Sequence, residues 1–402
     1  MRGLFFYFLF YCSNLTGQNL PSLLKGKDIN ATFSIVAYDP DAQEWGIAVA
    51  TNNIYVGNST VYIQAGLGAF SVIAETEPAY ALNGLEALKA GKSIREAIEQ
   101  TVEKDSEAYS RQVSGVDAHG HCFAFTGSTW KYQKGFAGSI VGEGYVVMGN
   151  QLGDSVLQNM SATFQKTTGT LAVRLLAALL AGERAGGQVE GKQSAALAVK
   201  GINNEFFNNI DLRVDDSKNP FRDLQRLLNY HYGRIKLNQA VFAIKMGNIP
   251  LGKTRLSEAE PMVKGWNGMQ GKVALTYILL GEKSKAVVVI RAAINENPKW
   301  KQYLSAFYLL KDEPGMEGLI NEKSFSEKDW INAVSFFGEL GENAKARSLC
   351  RKALQRFPGS SYLHYLLGKS WLDAEMQKEA KKELQEAVRL DSSNEEAAIL
   401  LK

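Results

Sequence analysis

The residues that decide the fold run from Thr32-Phe33-Ser34-Ile35-Val36-Ala37-Tyr38 through Asp39-Pro40-Asp41 to Glu44-Trp45-Gly46-Ile47-Ala48-Val49-Ala50. Two short apolar runs, Phe33 to Tyr38 and Trp45 to Ala50, flank a turn signal: Pro fixes φ and Asp bonds to nearby backbone, so the stretch reads as a β-hairpin. Outward from it, strands are expected at Val61 to Gln64 and at Ala69 to Ala74. A helical segment follows from about Tyr80 to Tyr109, where Leu82, Leu85, Leu88, Ile94 and Ile98 fall near helical spacing. Strands return at Gln112 to Asp117, His121 to Phe125 and near Tyr145 to Met148. A second helix spans about Leu152 to Ala185, interrupted near Gly169, and Ser194 to Val199 reads as a further strand. Helices grouped between clusters of hairpin strands give a layered domain of antiparallel sheets and helices, the α+β class.

The chain has 402 residues, which at about 150 per domain allows two or three folded units. Hydrophobic residues make up 45% and charged residues 22%, enough apolar material for a packed core and too much for wholesale disorder. Forty-five Lys plus Arg against 42 Asp plus Glu leave a formal charge of +3. That is too small to point to nucleic acid or an anionic membrane as partner. Three Cys cannot build a disulfide framework, and nothing in the composition calls for a cofactor or a metal.

Arg2 followed by the uncharged run Leu4 to Tyr11 is too short to cross a bilayer and fits the core of a secretory signal, with Gly17 as the expected residue before the cut. A buried first element of the mature domain is the competing reading, and no polar alternation accompanies the run to support it. Residues 1–31 are therefore taken as signal peptide and leader. The expected location is exported, periplasmic or extracellular, with Cys122 and Cys350 as the mature thiols and no integral membrane span.

Beyond about Pro220 the pattern is almost wholly helical and repeats itself. Ala286, Ala293 and Pro298 have the same mutual spacing as Ala346, Ala353 and Pro358, with Trp330 ahead of the second set. Leu367, Gly368, Trp371, Ala380 and Ala387 fall on matching offsets in a last unit, where Ser392 stands in place of the proline. This resembles the tetratricopeptide pattern, in which small residues let paired helices approach and Pro ends the second helix. Units are expected at 267–300, 327–360 and 361–394, with a truncated hairpin at 301–326. Such arrays present surfaces to protein partners.

Several motifs carry less than they promise. Gly186 to Gln193 reads G-x-x-x-x-G-K-Q, but a phosphate loop needs a strand before it and a helix after it, and here the order is reversed. Asp117, His119, His121 and Cys122 have the types of metal ligands, yet Asp-Ala-His-Gly is also a good hairpin turn. No G-x-S-x-G elbow accompanies the four His. The sequons at Asn14, Asn30, Asn58 and Asn159 matter only in a eukaryotic secretory pathway.

Thr32 is the more informative residue. It follows the small Ala31 and opens the first strand. Cut between the two, the chain would carry a hydroxyl and a free α-amine, with a reference pKa near about 8, on one residue. The amine then serves, through a water, as base for the hydroxyl. Ala31 lies further from the leader's apolar run than a signal peptidase reaches, so a second cut is required, autocatalytic or by another protease.

The stretches Thr32 to Pro40 and Glu44 to Ala50 are joined by Arg111-Gln112-Val113, Val116-Asp117-Ala118 with Gly120, and Phe125-Thr126-Gly127. Further on come Gly149-Asn150, Gly191 to Leu197 and Asp211 to Asp216. In this order, over residues 32–216, the chain resembles the domain of unknown function 1028 family, grouped with the N-terminal-nucleophile hydrolases. The resemblance implies a four-layered αββα sandwich and a hydrolase-like site. The family's usual Asn-Pro-x-Tyr-Gly is here Glu77-Pro78-Ala79-Tyr80-Ala81, and Ser139 stands where a histidine is usual after Ala-Gly.

Around a Thr32 nucleophile, Thr51 and Asn52 end the second strand beside it and are expected to orient its amine. Gly66 and Gly68 either let backbone N–H groups approach an oxyanion or simply bend strands. Lys192 and Gln193 open a strand and are candidates to hold a carboxylate or carbonyl. Arg213 with Asp215 and Asp216 is either a binding cluster or a surface ion-pair group, and Glu77 is an acid or base only if buried.

The reading is an exported amide hydrolase over residues 32–232, acting on a small amide or peptide-like substrate. A tetratricopeptide-like region over 233–402 would make protein contacts, and a homo-oligomer stays open. The competing reading is a non-catalytic binding scaffold that acts through its repeats.

Overall fold

The computed structural model describes residues 31–402, so the leader features, including Leu4 to Tyr11, Gly17 and the sequons at Asn14 and Asn30, lie outside the described residues. The chain divides into two units that part after Leu228.

The first unit runs β1 (Thr32–Asp39), β2 (Glu44–Thr51), β3 (Val61–Gln64), β4 (Gly68–Ala74), α1 (Ala79–Lys89), α2 (Ile94–Val102), β5 (Arg111–Asp117) and β6 (Cys122–Thr126). It continues with β7 (Phe136–Gly142), β8 (Tyr145–Leu152), α3 (Val156–Lys166), α4 (Leu171–Arg184), β9 (Ser194–Gly201) and β10 (Ile210–Val214). A six-stranded antiparallel sheet has the order β10-β9-β2-β1-β8-β7, and a four-stranded one the order β3-β4-β5-β6. The expected hairpin is present in full register, from Thr32 opposite Thr51 to Asp39 opposite Glu44.

Strand alternation explains the layers. Val36 of β1, Trp45, Ile47 and Val49 of β2, Val146 and Met148 of β8 and Ala196 of β9 share one buried cluster with Ala69, Ile73 and Val116 of the second sheet. This is the inter-sheet core. The other face of the large sheet carries helices: a Cβ added at Gly46 would lie 2.4 Å from Leu175 Cδ1 and 3.2 Å from Leu171 Cδ2, so α4 rests directly on β2. On the outer face of the small sheet, Phe70, Val72 and Val113 bury against Tyr80, Ala81, Ile94 and Ile98 of α1 and α2. The result is the four-layered αββα sandwich.

The single helix expected over Tyr80 to Tyr109 is two. Gly91 takes a left-handed φ of +82°, and Ser93 caps α2 in a reciprocal capping box with Glu96, a start signal present in Ser93-Ile94-Arg95-Glu96. Strands β7 and β10, not expected, complete the two edges of the large sheet.

The remaining helices are α5 (Pro220–Lys245), α6 (Ile249–Met262), α7 (Gln270–Leu279), α8 (Lys283–Glu296), α9 (Glu327–Glu339), α10 (Asn343–Arg356), α11 (Ser361–Leu372), α12 (Gln377–Leu390) and α13 (Glu395–Leu400). The second unit is all-helical, and α7/α8, α9/α10 and α11/α12 are three tetratricopeptide-like pairs. The small residues of the repeat do what their size allows: Ala286, Ala346, Ala353, Ala380 and Ala387 are buried. A Cβ on Gly368 would meet Leu384 Cγ at 2.7 Å, so α11 and α12 touch there. Residues 301–326 are not a truncated hairpin. A kinked 3-10 run, Pro298–Leu310, is followed by a short 3-10 turn, Glu322–Ser324. Trp300, Leu304, Phe307 and Leu310 bury from this run without an α-helical pair. Among the described residues no helix is long and apolar enough to cross a membrane.

Candidate functional site

Alternation places Thr32, Ser34 and Val36 on the inter-sheet face of β1. Pairing register carries the same face sideways from Thr32 to Thr51 on β2, Asn150 on β8 and, beyond Thr51, Ser194 on β9. At this end of the sandwich the layer between the sheets is therefore polar. Ser71 and Gln112 face it from the small sheet, with Ser71 Oγ donating to Ser34 Oγ at 2.9 Å. Thr32 is 6% exposed, and Thr51, Asn150, Gln112 and Ser194 are buried.

The hydrogen bonds converge on the peptide bond before Thr32. Thr51 Oγ1 donates to the Ala31 carbonyl at 2.8 Å and lies 3.0 Å from Thr32 Oγ1. A hydroxyl has one proton to give, and that of Thr51 goes to Ala31, so Thr32 is the donor to Thr51. The Ala31 carbonyl also accepts from Asn52 N at 3.3 Å and from Gln188 Nε2. The Thr32 N–H donates to Asn150 Oδ1 at 3.1 Å. Asn150 is held in that orientation because its Nδ2 donates to Gln112 Oε1 at 2.8 Å, while Gln112 Nε2 donates to Gly149 O at 2.9 Å and Thr126 Oγ1 at 3.2 Å. Each amide fixes the next, so none is free to flip. Gly149 is required for this approach: a Cβ there would sit 2.9 Å from Thr32 O and 2.8 Å from Phe33 Cβ.

Gln188 arrives from the loop between α4 and β9. Gly186, Gly187 and Gly191 take left-handed φ values of 115°, 53° and 101°, and Gln188 bridges Leu152 at the end of β8. The glycines that resemble a phosphate loop thus serve to turn Gln188 toward Ala31, between a helix and a strand in the order expected.

Of the expected site residues, the fold brings together Thr32, Thr51 and Asn52. Gln193 lies beside them through its backbone, its N–H donating to Thr51 O at 2.9 Å, while its side chain donates to Asp216 Oδ1 at 2.7 Å. Lys192 is taken up by Glu183 and lies 5.5 Å over the Phe221 ring. Gly66 and Gly68 are not an oxyanion hole for Thr32. Gly68 pairs with Asp117, whereas Gln112 beside Asn150 pairs with Ile73, five residues or about 17 Å along the strand. Gly68 is instead a packing glycine, where a Cβ would meet Val116 O at 2.6 Å and Leu88 Cδ1 at 2.8 Å. Arg213 does not pair with Asp215 or Asp216 but forks onto Asp211 at 2.9 and 3.0 Å on the surface. Glu77 is half-buried and accepts from Ala79 N at 3.0 Å, opening α1. Asp117 closes the β5–β6 turn, accepting from His119 N at 2.8 Å and His121 N at 2.9 Å. Among the described residues Cys122 and Cys350 are free, and burial pushes each thiol up to about 12, which leaves neither as a nucleophile at neutral pH.

Sequence reasoning missed Gln112, Asn150 and Gln188 as site residues. Gln112 and Asn150 carried a readable signal: each is a polar residue on the inward-facing phase of an otherwise apolar strand.

An αββα sandwich with a hydroxyl residue opening its first central strand, followed by paired helices, defines the class. Residues 32–224 match the model of a family described as a family of unknown function (DUF1028). A solved member of it from Silicibacter pomeroyi is 31% identical, over 49% of this chain and 84% of that one, with a TM-score of 0.46. The chain belongs to this family. Tetratricopeptide proteins are also similar. One is YrrB, titled as having an unusual peptide-binding site, at 15% identity over 41% of this chain and 89% of that one with a TM-score of 0.23. Another comes from Thermus thermophilus, at 14% identity over 42% and 96% with a TM-score of 0.23. No curated protein matches the chain.

Proposed function

We propose that the first unit is an amide hydrolase whose nucleophile is the hydroxyl of Thr32, exposed when the Ala31–Thr32 bond is cut by the chain itself. The observation that carries this is the carbonyl of Ala31, held by the Thr51 hydroxyl, the Asn52 N–H and Gln188 Nε2 while Thr32 Oγ1 stands 3.0 Å from Thr51 Oγ1. Several donors on one amide oxygen polarise its carbon, and they stabilise the oxyanion that attack creates. Thr32 Oγ attacks the Ala31 carbonyl carbon; its proton passes to Thr51 as Thr51 hands its own to the Ala31 oxygen, and that proton moves on to the nitrogen when the tetrahedral intermediate collapses. The C–N bond then breaks and the nitrogen leaves protonated as the new α-amine. The resulting ester between Ala31 and Thr32 Oγ is hydrolysed by water, giving a free carboxylate on Ala31 and a restored hydroxyl. In the mature protein, Asn150 Oδ1 holds the α-amine beside the hydroxyl it activates, and the same donors receive a substrate carbonyl.

The uncharged apolar run Leu4 to Tyr11 after Arg2 supports export of the enzyme from the cytoplasm. The second unit supplies protein contacts, for which a cleft of about 360 Å³ between α9 and α11, lined by Glu339, Tyr362, Tyr365 and Lys369, is available. Mass spectrometry of the purified protein tests the core of this reading: the expected first residue is Thr32. Thr32→Ala should retain the leader residues and lower amide hydrolysis by at least about 1,000-fold. A protein that starts near Gln18 with Thr32 internal, and hydrolyses nothing, would leave the non-catalytic scaffold.

A further inference from the structure

Ala31 is bound as a ligand is bound. Its carbonyl accepts three hydrogen bonds, its own N–H donates to Asn52 Oδ1 at 2.9 Å, and the residue is fully buried at 0% exposure. Asn52 grips it twice, donating from its backbone N–H to the Ala31 carbonyl and accepting the Ala31 N–H on its side chain. Nothing in the hydrolytic mechanism requires the second of these contacts. A donor on the carbonyl serves the chemistry, whereas an acceptor on the preceding N–H serves recognition of an acylamino acid. Gln188 adds an independent sign: it is 7% exposed, and among the described residues its Oε1 has no hydrogen-bond partner while its Nε2 spans the Ala31 and Ala50 carbonyls.

We infer that the pocket holding Ala31 is the acyl-binding site of the mature enzyme, and that its substrates are amides whose acyl half is an N-acylated amino acid with an alanine-sized side chain. This rests on the hydrolytic reading above. The link is chemical identity. The ester formed during self-cleavage joins the acyl group of Ala31 to Thr32 Oγ. Attack by the mature Thr32 on an alanyl amide, with the amine leaving protonated, forms the same ester. The groups that let water resolve the first resolve the second. Asn52 Oδ1 then accepts the N–H of the substrate's acylamino group, and Thr51, Asn52 N and Gln188 Nε2 take its carbonyl. Full burial of Ala31 sets the size limit, because a larger side chain has to displace packed atoms. The template ends at the scissile bond, beyond which lies the protein's own strand, so it selects the acyl half alone.

The test uses the chain produced from Thr32 onward, which keeps every described strand and helix. N-acetyl-L-alanine 4-nitroanilide is expected to be hydrolysed at least about 30-fold faster, in kcat/KM, than the N-acetyl-L-leucine compound. It should be about 10-fold better than propionic 4-nitroanilide, which lacks the N–H, and Asn52→Ala should erase that second ratio while leaving the first. In parallel, calorimetry on the Thr32→Ala form of the same chain measures binding of N-acetyl-L-alanine amide against N-acetyl-L-leucine amide, with the alanine compound expected at least about 10 times tighter. Hydrolysis that favours leucine, or equal binding of the two amides, overturns the inference while the hydrolytic reading stands. Selective binding of the alanine amide without turnover supports the pocket and removes the hydrolytic reading.

Discussion

The two ends of the inter-sheet layer are built on the same strands and the same faces, yet they differ in kind. Toward Trp45, Ile47, Val36, Val116 and Val146 the layer is a dry apolar core. Toward Thr32, Ser34, Ser71, Thr51, Gln112, Asn150 and Ser194 it is a buried polar network. Strand alternation assigns a face and is indifferent to what occupies it. A sandwich therefore stores apolar stability at one end and a polar network at the other without changing topology. The polar end carries a cost: Ser114 Oγ, Ser194 Oγ and Gln188 Oε1 are buried with no hydrogen-bond partner among the described residues, a state that disfavours folding unless something else holds the end closed.

The comparison is broken most directly at the apolar end. Ile47→Ala, at a position with 0% exposure, should lower unfolding free energy by about 2–5 kcal/mol, read by denaturant titration. Cleavage before Thr32 should continue at low temperature. If cleavage stops while the fold persists, the two ends are coupled more tightly than their separate compositions suggest. At the polar end, on the proposed reading, Gln188→Ala is expected to slow self-cleavage by about 100-fold, as removal of an oxyanion donor does, with little effect on stability. An unchanged rate would assign Gln188 to loop anchoring through Ala50 alone.

The smallest effect lies in the helical repeats and serves as a contrast in chemistry. The groups bonded to Ala31 O and to Thr32, namely Thr51, Asn52, Asn150 and Gln188, are uncharged amides and hydroxyls. In the last repeat, by contrast, His364 Nδ1 meets Glu383 Oε2 at 2.7 Å. That hydrogen bond, outweighing burial, raises the His364 pKa above its ordinary value. A raised folded-state value means that the stabilisation is complete below the unfolded pKa of about 6.5 and is lost as pH rises through the folded one. Thermal unfolding of the repeats should therefore soften modestly on the alkaline side of that window, and His364→Gln should abolish the dependence.

Much of this was legible in the residues. The hairpin Thr32–Thr51, the break near Gly169 and the small residues of the repeat follow from turn chemistry and helical spacing, which act locally. The division of one expected helix at Gly91 was also local, since Ser93 and Glu96 announce a new start. The site was legible in part. Thr51 and Asn52 follow from hairpin register, but Gln188 stands 157 residues from the carbonyl it holds and Asn150 stands 118 from Thr32, and no periodicity spans such gaps. Gly66 and Gly68 misled for the complementary reason. Glycine reports that something comes close, and at Gly68 what comes close is the backbone of Val116 and the side chain of Leu88. Arg213 misled because the partner it chose, Asp211, lies two residues away along the same strand.

The bridge between Leu152 and Gln188 ties the α4–β9 loop to the end of β8, and β8 reaches Thr32 only by pairing with β1. On the proposed reading the hairpin alone cannot assemble all the donors around Ala31: Thr51 and Asn52 come with it, but Gln188 arrives only when β8 and the α4–β9 loop are in place. Severance of the leader is then a receipt for completed folding. A pool of molecules sorted by whether Ala31 is still joined to Thr32 would, on that reading, be sorted by whether they had ever reached the native state.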